Sequence, residues 1–206
     1  YLTRINLMDA ANPESDTPVL MGKKVAVIGG GNTAMDAVRT ARRLGAERAM
    51  IVYRRSEEEM PARLEEVHHA KEEDIEFYNL HNPLKYEGDE NFRVNRMLLQ
   101  RMELGEPDAS GRRRPLPIEG DTVWIDVDQV IVSVGVSPNP LIPSTLQGLV
   151  VTHWGTIVVN SDTMQSAQSD IYAGGDIVRG GATVILAMGD GRKAAKGMSE
   201  ALLANS

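Results

Sequence analysis

Three small residues and two arginines have the types and spacing that could do chemistry in this chain. Gly29, Gly31 and Ala34 form a G-x-G-x-x-A pattern within KVAVIGGGNTAMDAVRTARRLGAERAMIVYRR, residues 24–55, and Arg54 and Arg55 close that run. The pattern is the fingerprint of a turn that holds a dinucleotide pyrophosphate, and each position has its own physical task. Gly29 permits the tight turn, Gly31 lets backbone approach the pyrophosphate, and Ala34 lets helix and strand pack closely. The pyrophosphate is expected on the amide-rich, positive end of a helix that begins near Asn32 and Thr33.

The arginines bear on which dinucleotide is taken. NAD sites place a carboxylate on the ribose 2′-hydroxyl about 20 residues on, whereas NADP sites offer an arginine to the 2′-phosphate. Here that distance lands on Arg54 and Arg55, and the first acids are Glu57, Glu58 and Glu59. A hydrogen bond to a charged group contributes roughly 1.5–3 kcal/mol, so one such contact favours NADP(H) by about 10- to 150-fold. The competing reading is that both arginines only pair with the glutamates after them.

These residues require elements to position them. Val25 to Ile28 reads as a buried strand, and Ala34, Ala37, Val38, Ala41 and Leu44 share one helical face that Gly45 ends as a left-handed cap. Ala49 to Tyr53 reads as the second strand. SEEEMPARLEEVHHAKEED is expected to be one helix with Ser56 as cap and Leu64, Val67 and Ala70 as a thin apolar stripe. Ile75 to Leu80 is the third parallel strand, completing a βαβαβ half. Beyond it, Phe92 to Leu104, Thr122 to Val127 and Gln129 to Val134 are strand-like, with turns at EGDEN and GEPDASGRRRP, and suggest an antiparallel appendage that returns to the parallel sheet. Arg112, Arg113 and Arg114 are expected on a solvated hairpin tip. Val130 to Pro140 is read as a buried strand running into a turn, Leu149 to Asn160 as a hairpin around Trp154 and Gly155, and IYAGGD as a strand ending in a glycine turn. A helix is expected from Thr183 to Ala204, and its Gly189, Gly191 and Gly197 call for a close neighbour.

The bulk properties exclude several classes. The 206 residues, 42% hydrophobic and 25% charged, are ordinary for a globular protein. A net charge of −7 argues against nucleic acid or an anionic membrane as partner. No stretch reads as a signal peptide or a membrane span. The absence of cysteine from the sequence removes disulfides and cysteine-ligated metal from this chain and is compatible with the cytoplasm. His68 and His69 lack accompanying ligands at metal spacing, so no metal site is expected. The opening YLTRINL, without methionine, reads as the start of an excised fragment.

Taken together, the glycine fingerprint, the YRR strand end, MPAR at Met60 to Arg63, VGVSPNP, and AGGD followed by GATVILAMGDGRKAA resemble the C-terminal half of the glutamate synthase small (beta) chain. The same pattern is similar to relatives that serve as NADPH-dependent ferredoxin oxidoreductase subunits, which EEVHHAKEE and MELGEPDASGRRRPLPIEG resemble particularly closely, and the resemblance covers nearly the whole chain. It implies an α/β fold in which a Rossmann-like NADP-binding domain, a parallel sheet with an antiparallel appendage, is inserted in an FAD-binding domain. Residues 1–21 would be linker and FAD-domain remnant, 22–134 the NADP(H)-binding domain and 135–206 the C-terminal part of the FAD-binding domain.

The same resemblance implies the chemistry: hydride passes from NADPH to FAD, and electrons leave through iron–sulfur clusters held by the N-terminal half. It places Gly29, Gly31, Asn32, Thr33 and Ala34 on the NADPH pyrophosphate and Arg54 and Arg55 on the 2′-phosphate. Gly175 and Asp176 fall at the flavin ribityl chain, Ala182, Thr183 and Val184 at the pyrimidine edge, and Gly135 of VGVSPNP among the cofactor contacts. The implied partner is a large or electron-acceptor subunit, with self-association of the fragment as a homodimer also open. The chain departs from the family in lacking a second glycine fingerprint and cluster cysteines, so FAD is not expected to stay on this fragment. Asp74 stands where a helix-ending glycine is expected in relatives.

No protein nucleophile is required for hydride transfer between cofactors, because the protein only orients them. Three rivals stay open. A direct NADP dehydrogenase needs an acid–base group that no motif here places. A disulfide reductase of the two-dinucleotide kind needs a cysteine pair. A binding module without activity explains the glycine turn but not AGGD or GATVI.

Overall fold

A computed structural model describes residues 1–108 and 111–204. Its first element is a helix, α1 (Leu2–Leu7), where the sequence reads as linker. Tyr1 and Leu2 pack on the main core, and that local apolar contact orders a turn and a half of backbone.

The centre of the first unit follows from alternation in two apolar strands. β1 (Lys24–Ile28) and β2 (Arg48–Tyr53) run parallel, joined by α2 (Asn32–Arg43). Val25, Val27, Ile51 and Tyr53 face Ala34, Met35, Val38 and Ala41 of α2. Their neighbours Ala26, Ile28, Met50 and Val52 point the other way, as the period of two dictates. Gly45, at φ +103°, closes α2: its amide bonds the Arg42 carbonyl at 3.1 Å and the Ala46 amide reaches Ala41 at 3.2 Å. That is the paired pattern of a left-handed glycine cap.

The expected single helix after Arg55 is broken in two. A short 3₁₀ turn covers Glu57–Glu59, and α3 (Leu64–Glu72) starts only after Pro61. Proline disfavours helical backbone at the residue before it, and Met60 is extended at ψ 128°. Val67 and Ala70 are buried as the stripe requires, but Leu64, in the first turn of the shortened helix, is 72% exposed. Asp74 adopts φ +58° and caps α3 as Gly45 caps α2, with the Ile75 amide on the Ala70 carbonyl at 3.1 Å. Aspartate tolerates this left-handed conformation better than most side chains do.

β3 (Glu76–Asn79) then joins β2 in parallel. The chain continues into β4 (His81–Gly88), β5 (Val94–Pro107) and β6 (Arg113–Asp126), an antiparallel sheet. β4 is not legible in the sequence because Pro83 argues against a strand. As an edge strand with a register shift at Pro83, it tolerates the missing donor. The tip residues Ala109 and Ser110 lie outside the described residues. β7 (Gln129–Val132) returns to pair with β1, giving the parallel order β3-β2-β1-β7. Met97, Leu99, Ile125 and Val127 cover the second face of the parallel sheet. Both faces of β1 and β2 are therefore walled, helices on one side and sheet on the other, as parallel strands require.

Backbone contacts divide the chain into two units, Tyr1–Val134 and Gly135–Ser206. Of the expected buried strand Val130 to Pro140 only the start is strand, within β7, and of its apolar residues Ile131 is buried while Val132, Val134 and Val136 are exposed. In the second unit α4 (Leu141–Thr145) precedes single bridges at Val151–Ile157, Val159–Ser166 and Gln165–Tyr172. The hairpin around Trp154 and Gly155 is present as the first of these, whereas IYAGGD forms one bridge rather than a strand. α5 (Asp176–Arg179) and α6 (Val184–Ala204) complete the unit. Of the three helix glycines only Gly197 has a close neighbour, since a Cβ there would lie 2.7 Å from the Thr163 carbonyl oxygen. Among the described residues no helix is long and apolar enough to cross a membrane.

Candidate functional site

The glycine turn sits at the C-terminal end of β1, where parallel α/β sheets open toward ligands. Gly29 is held at φ +141°, and a Cβ would fall 2.3 Å from the backbone oxygen of Ser133 just past β7. No side chain fits there. Gly30 lies against the Tyr53 ring, where a Cβ would meet carbon at 2.7 Å. The close approach within the turn is thus made twice by the protein itself, a packing role for Gly30 that the fingerprint does not announce.

Gly31 differs from both. It is the N-cap of α2 at φ −93° and ψ 174°, and a Cβ would touch only Pro61 at 3.9 Å. Space is open on that side of the turn. The first turn of α2 has no acidic residue and no capping side chain, so the positive end of the helix is not neutralised from within. Asn32 and Thr33 are exposed there, and Ala34 is fully buried beneath them.

A loop latched to this turn was not legible as such. The Tyr53 hydroxyl donates to the Glu59 carbonyl at 2.7 Å, and the Ala62 amide donates to the Gly30 carbonyl at 3.1 Å. The Arg63 amide donates to Asn32 Oδ1 at 2.9 Å. Pro61 in MPAR is the one signal in the sequence that this segment leaves the helix and crosses the turn. Burial works to raise the Glu59 carboxyl, but hydrogen bonds from the Ser56 hydroxyl and the Arg113 guanidinium outweigh it and hold the group below its ordinary value.

The two arginines divide. Arg54 is exposed and has no ion-pair partner among the described residues. Arg55 is only 5% exposed: its Nε donates to the Arg113 carbonyl at 2.7 Å and its Nη2 to Asp108 at 2.7 Å. A guanidinium so engaged is committed to the protein, which corrects the expectation that both face a phosphate. Neither pairs with the glutamates after it. Those pair with Lys71 and Arg113, so Arg113 is a bridging residue and not a solvated tip.

In the second unit the AGGD turn is built around a buried carboxylate. Asp190 of α6 is 1% exposed and takes two hydrogen bonds of 2.6 Å from Arg179 and one of 3.0 Å from the Gly175 amide. Gly174 must be glycine, because a Cβ would lie 2.6 Å from that of Asp190. Gly175 is at φ +74°, and exposed Asp176 accepts from the Ala182 amide at 3.2 Å. Thr183 caps α6 through a 3.4 Å bond from the Leu186 amide. The structure therefore brings Gly175, Asp176, Ala182, Thr183 and Val184 together. Gly135 stands apart, exposed at φ +95° with no atom within 4 Å of its missing Cβ. Asp190 and Arg179 were missed because neither belongs to a fingerprint.

Arg179 first, and then the Gly175 amide, hold the Asp190 carboxyl down to about 2. A folded value below the unfolded one contributes stability that is complete above about pH 4 and lost as pH falls through about 2. Asp190→Asn is expected to remove that component. Thermal melts should show wild type losing more stability than the variant between about pH 4 and pH 2, and equal losses would contradict the assignment.

The features present fit a dinucleotide at the first turn: an open glycine face, an uncapped helix end and a free guanidinium. At the second turn an exposed carboxylate, a left-handed glycine and a helix start fit one side of a flavin. No group of three metal-ligating side chains occurs among the described residues.

The profile of the pyridine nucleotide-disulphide oxidoreductase family matches residues 4–191. The glutamate synthase [NADPH] small chain of Escherichia coli (strain K12) is 41% identical over 180 residues, covering 86% of this chain and 38% of the relative. The NADPH-Fe(3+) oxidoreductase subunit beta of Geobacter sulfurreducens is 40% identical over 200 residues, covering 87% of this chain and 30% of the relative. The chain thus spans well under half the length of these two relatives. The solved thioredoxin reductase of T. acidophilum shares the fold, with a TM-score of 0.70 at 24% identity over 87% of this chain and 53% of that one.

Proposed function

Since the chain belongs to the pyridine nucleotide-disulphide oxidoreductase family, we propose that it is the NADPH-binding portion of a flavoprotein oxidoreductase resembling a glutamate synthase small chain. In this reading residues 22–134 are the NADP(H)-binding domain, 135–206 the C-terminal part of an FAD-binding domain, and 1–21 linker and remnant of that FAD domain. The observation that carries this reading is the open face of Gly31 at the uncapped start of α2, with exposed Arg54 at the end of the adjacent strand.

Bound FAD would supply the acceptor for the hydride of NADPH. The chain's own residues do the holding: the amides of Asn32 and Thr33 meet the pyrophosphate, Arg54 meets the 2′-phosphate, and Ala34 keeps helix and strand close. Gly175 and Asp176 meet the ribityl chain. The start of α6 at Ala182, Thr183 and Val184 offers its positive end to the pyrimidine edge, where negative charge develops on reduction. Val184 and Ile185 at that helix start are 76% and 80% exposed, and the chain carries no second glycine fingerprint for the FAD adenylate, so in this reading FAD would be held firmly only in the full-length protein. By itself the chain binds NADP(H) and transfers little hydride.

Iron–sulfur clusters, which this cysteine-free chain does not hold, would take up the electrons in the full-length protein and hand them to a large or electron-acceptor subunit in the cytoplasm. A second reading is a ferredoxin–NADP oxidoreductase subunit of the same family, whose members the stretches EEVHHAKEE and MELGEPDASGRRRPLPIEG resemble. The test is calorimetric titration of the chain with NADPH and NADH, alongside its visible absorbance. Micromolar NADPH binding, weaker NADH binding and a colourless protein are expected. Absence of NADPH binding overturns the reading.

A further inference from the structure

The glutamates that follow the arginine pair ought to oppose a phosphate there. Glu57, Glu58 and Glu59 lie just beyond it in the chain, and the loop that carries them is tied to the glycine turn through Tyr53 and Ala62. Each has a cationic partner. Lys71 of α3 holds Glu57 at 2.6 Å, while Arg113 holds Glu59 at 2.5 Å and Glu58 at 3.0 Å. Lys71 belongs to the nucleotide fold itself, whereas Arg113 reaches in from the first residue of β6. The Arg113 carbonyl also accepts from Arg55, and Asp108 on the other strand end of the hairpin takes a second Arg55 nitrogen. The Arg55 carbonyl accepts from the Leu80 amide at 3.0 Å, so the backbone next to Arg54 is held from two directions. One hairpin residue thus touches the buried guanidinium beside Arg54 and two carboxylates beside the turn.

We infer that Arg113 is a specificity-determining residue for NADPH, acting through Glu58 and Glu59 without touching the coenzyme. The inference rests on the reading of the glycine turn as an NADP(H) site. With Arg113 in place, Arg54 meets the 2′-phosphate in a setting where the nearby carboxylates are compensated. Without it, two negative charges act on a group that carries up to two of its own. NADH has no such phosphate and does not register the change. Near the surface each uncompensated charge alters affinity by a few-fold, and salt screens the effect.

The experiment titrates wild type, Arg113→Gln, Arg113→Lys, Arg113→Gln with Glu58→Gln, and Arg54→Ala with NADPH and with NADH, at low and at high salt. Arg113→Gln should weaken NADPH by about 5- to 30-fold at low salt and NADH by less than about 2-fold, with the difference narrowing at high salt. Arg113→Lys should keep most of the NADPH affinity, and the double variant should regain part of it. Equal losses for both coenzymes reduce Arg113 to a structural role and overturn the inference, as does an unchanged NADPH affinity. Arg54→Ala separates the two ways of failing. If it costs NADPH affinity while Arg113→Gln does not, only the hairpin's role falls. If it costs nothing, the NADP(H) reading of the turn falls as well.

Discussion

Gly31→Ala is expected to abolish dinucleotide binding in a protein that still folds. Alanine is allowed at φ −93° and ψ 174°, and its Cβ would meet only Pro61 at van der Waals distance. The stability cost is that of a poorer N-cap, about 1 kcal/mol or less. A methyl group on the open face would hold a pyrophosphate off the α2 amides, and losing two or more charge-assisted bonds costs at least about 3 kcal/mol, more than 100-fold in affinity. Gly29→Ala is the contrasting change. Its Cβ would collide with the Ser133 backbone in a conformation reserved for glycine, so folding itself fails. Calorimetry and thermal melts on the two variants separate a glycine needed for ligand from one needed for the chain. A Gly31→Ala variant that binds NADPH as wild type does would remove the basis for placing the pyrophosphate here.

Arg54→Ala should lower NADPH affinity by about 10- to 150-fold and leave NADH nearly unchanged. Arg55→Ala should do something different. It removes a buried cation from Asp108 and from the Arg113 carbonyl, so the loss appears as lowered stability of the first unit. Melting curves and paired titrations distinguish the two substitutions. A loss of NADPH affinity confined to Arg55→Ala would reverse the assignment of the two side chains.

That division shows where sequence reading stops. The βαβ core, its glycine cap at Gly45 and the return of β7 were legible because they rest on local rules: period two, period 3.6, and the residues that tolerate left-handed backbone. Arg54 and Arg55 have the same type and adjoin each other, so only the tertiary neighbours Asp108 and Arg113, more than fifty residues on, decide which is free. Pro61 was visible, yet a continuous charged pattern around it favoured one helix over two pieces. Pro83 argued against β4, although an edge strand accommodates it. Asp190 had no signal at all, since a lone aspartate in a glycine-rich helix announces itself only when Arg179 is found against it. The valines of VGVSPNP looked like core residues because hydropathy records composition, and burial requires a neighbour on each side.

The double wall around β1 and β2 has a consequence for the order in which the first unit comes apart. Amides of these strands are bonded to strand neighbours on both edges and covered on both faces, so exchange of their hydrogens should require opening of the whole unit. β4, an edge strand with a proline and an interrupted register, should exchange through small local openings. The glycine turn grows directly from the end of β1, and its Gly29 amide is bonded to the Val52 carbonyl of β2 at 3.0 Å. The turn proposed to take the dinucleotide is therefore rooted in the slowest-opening part of the unit, while edge strand β4 can open without disturbing it.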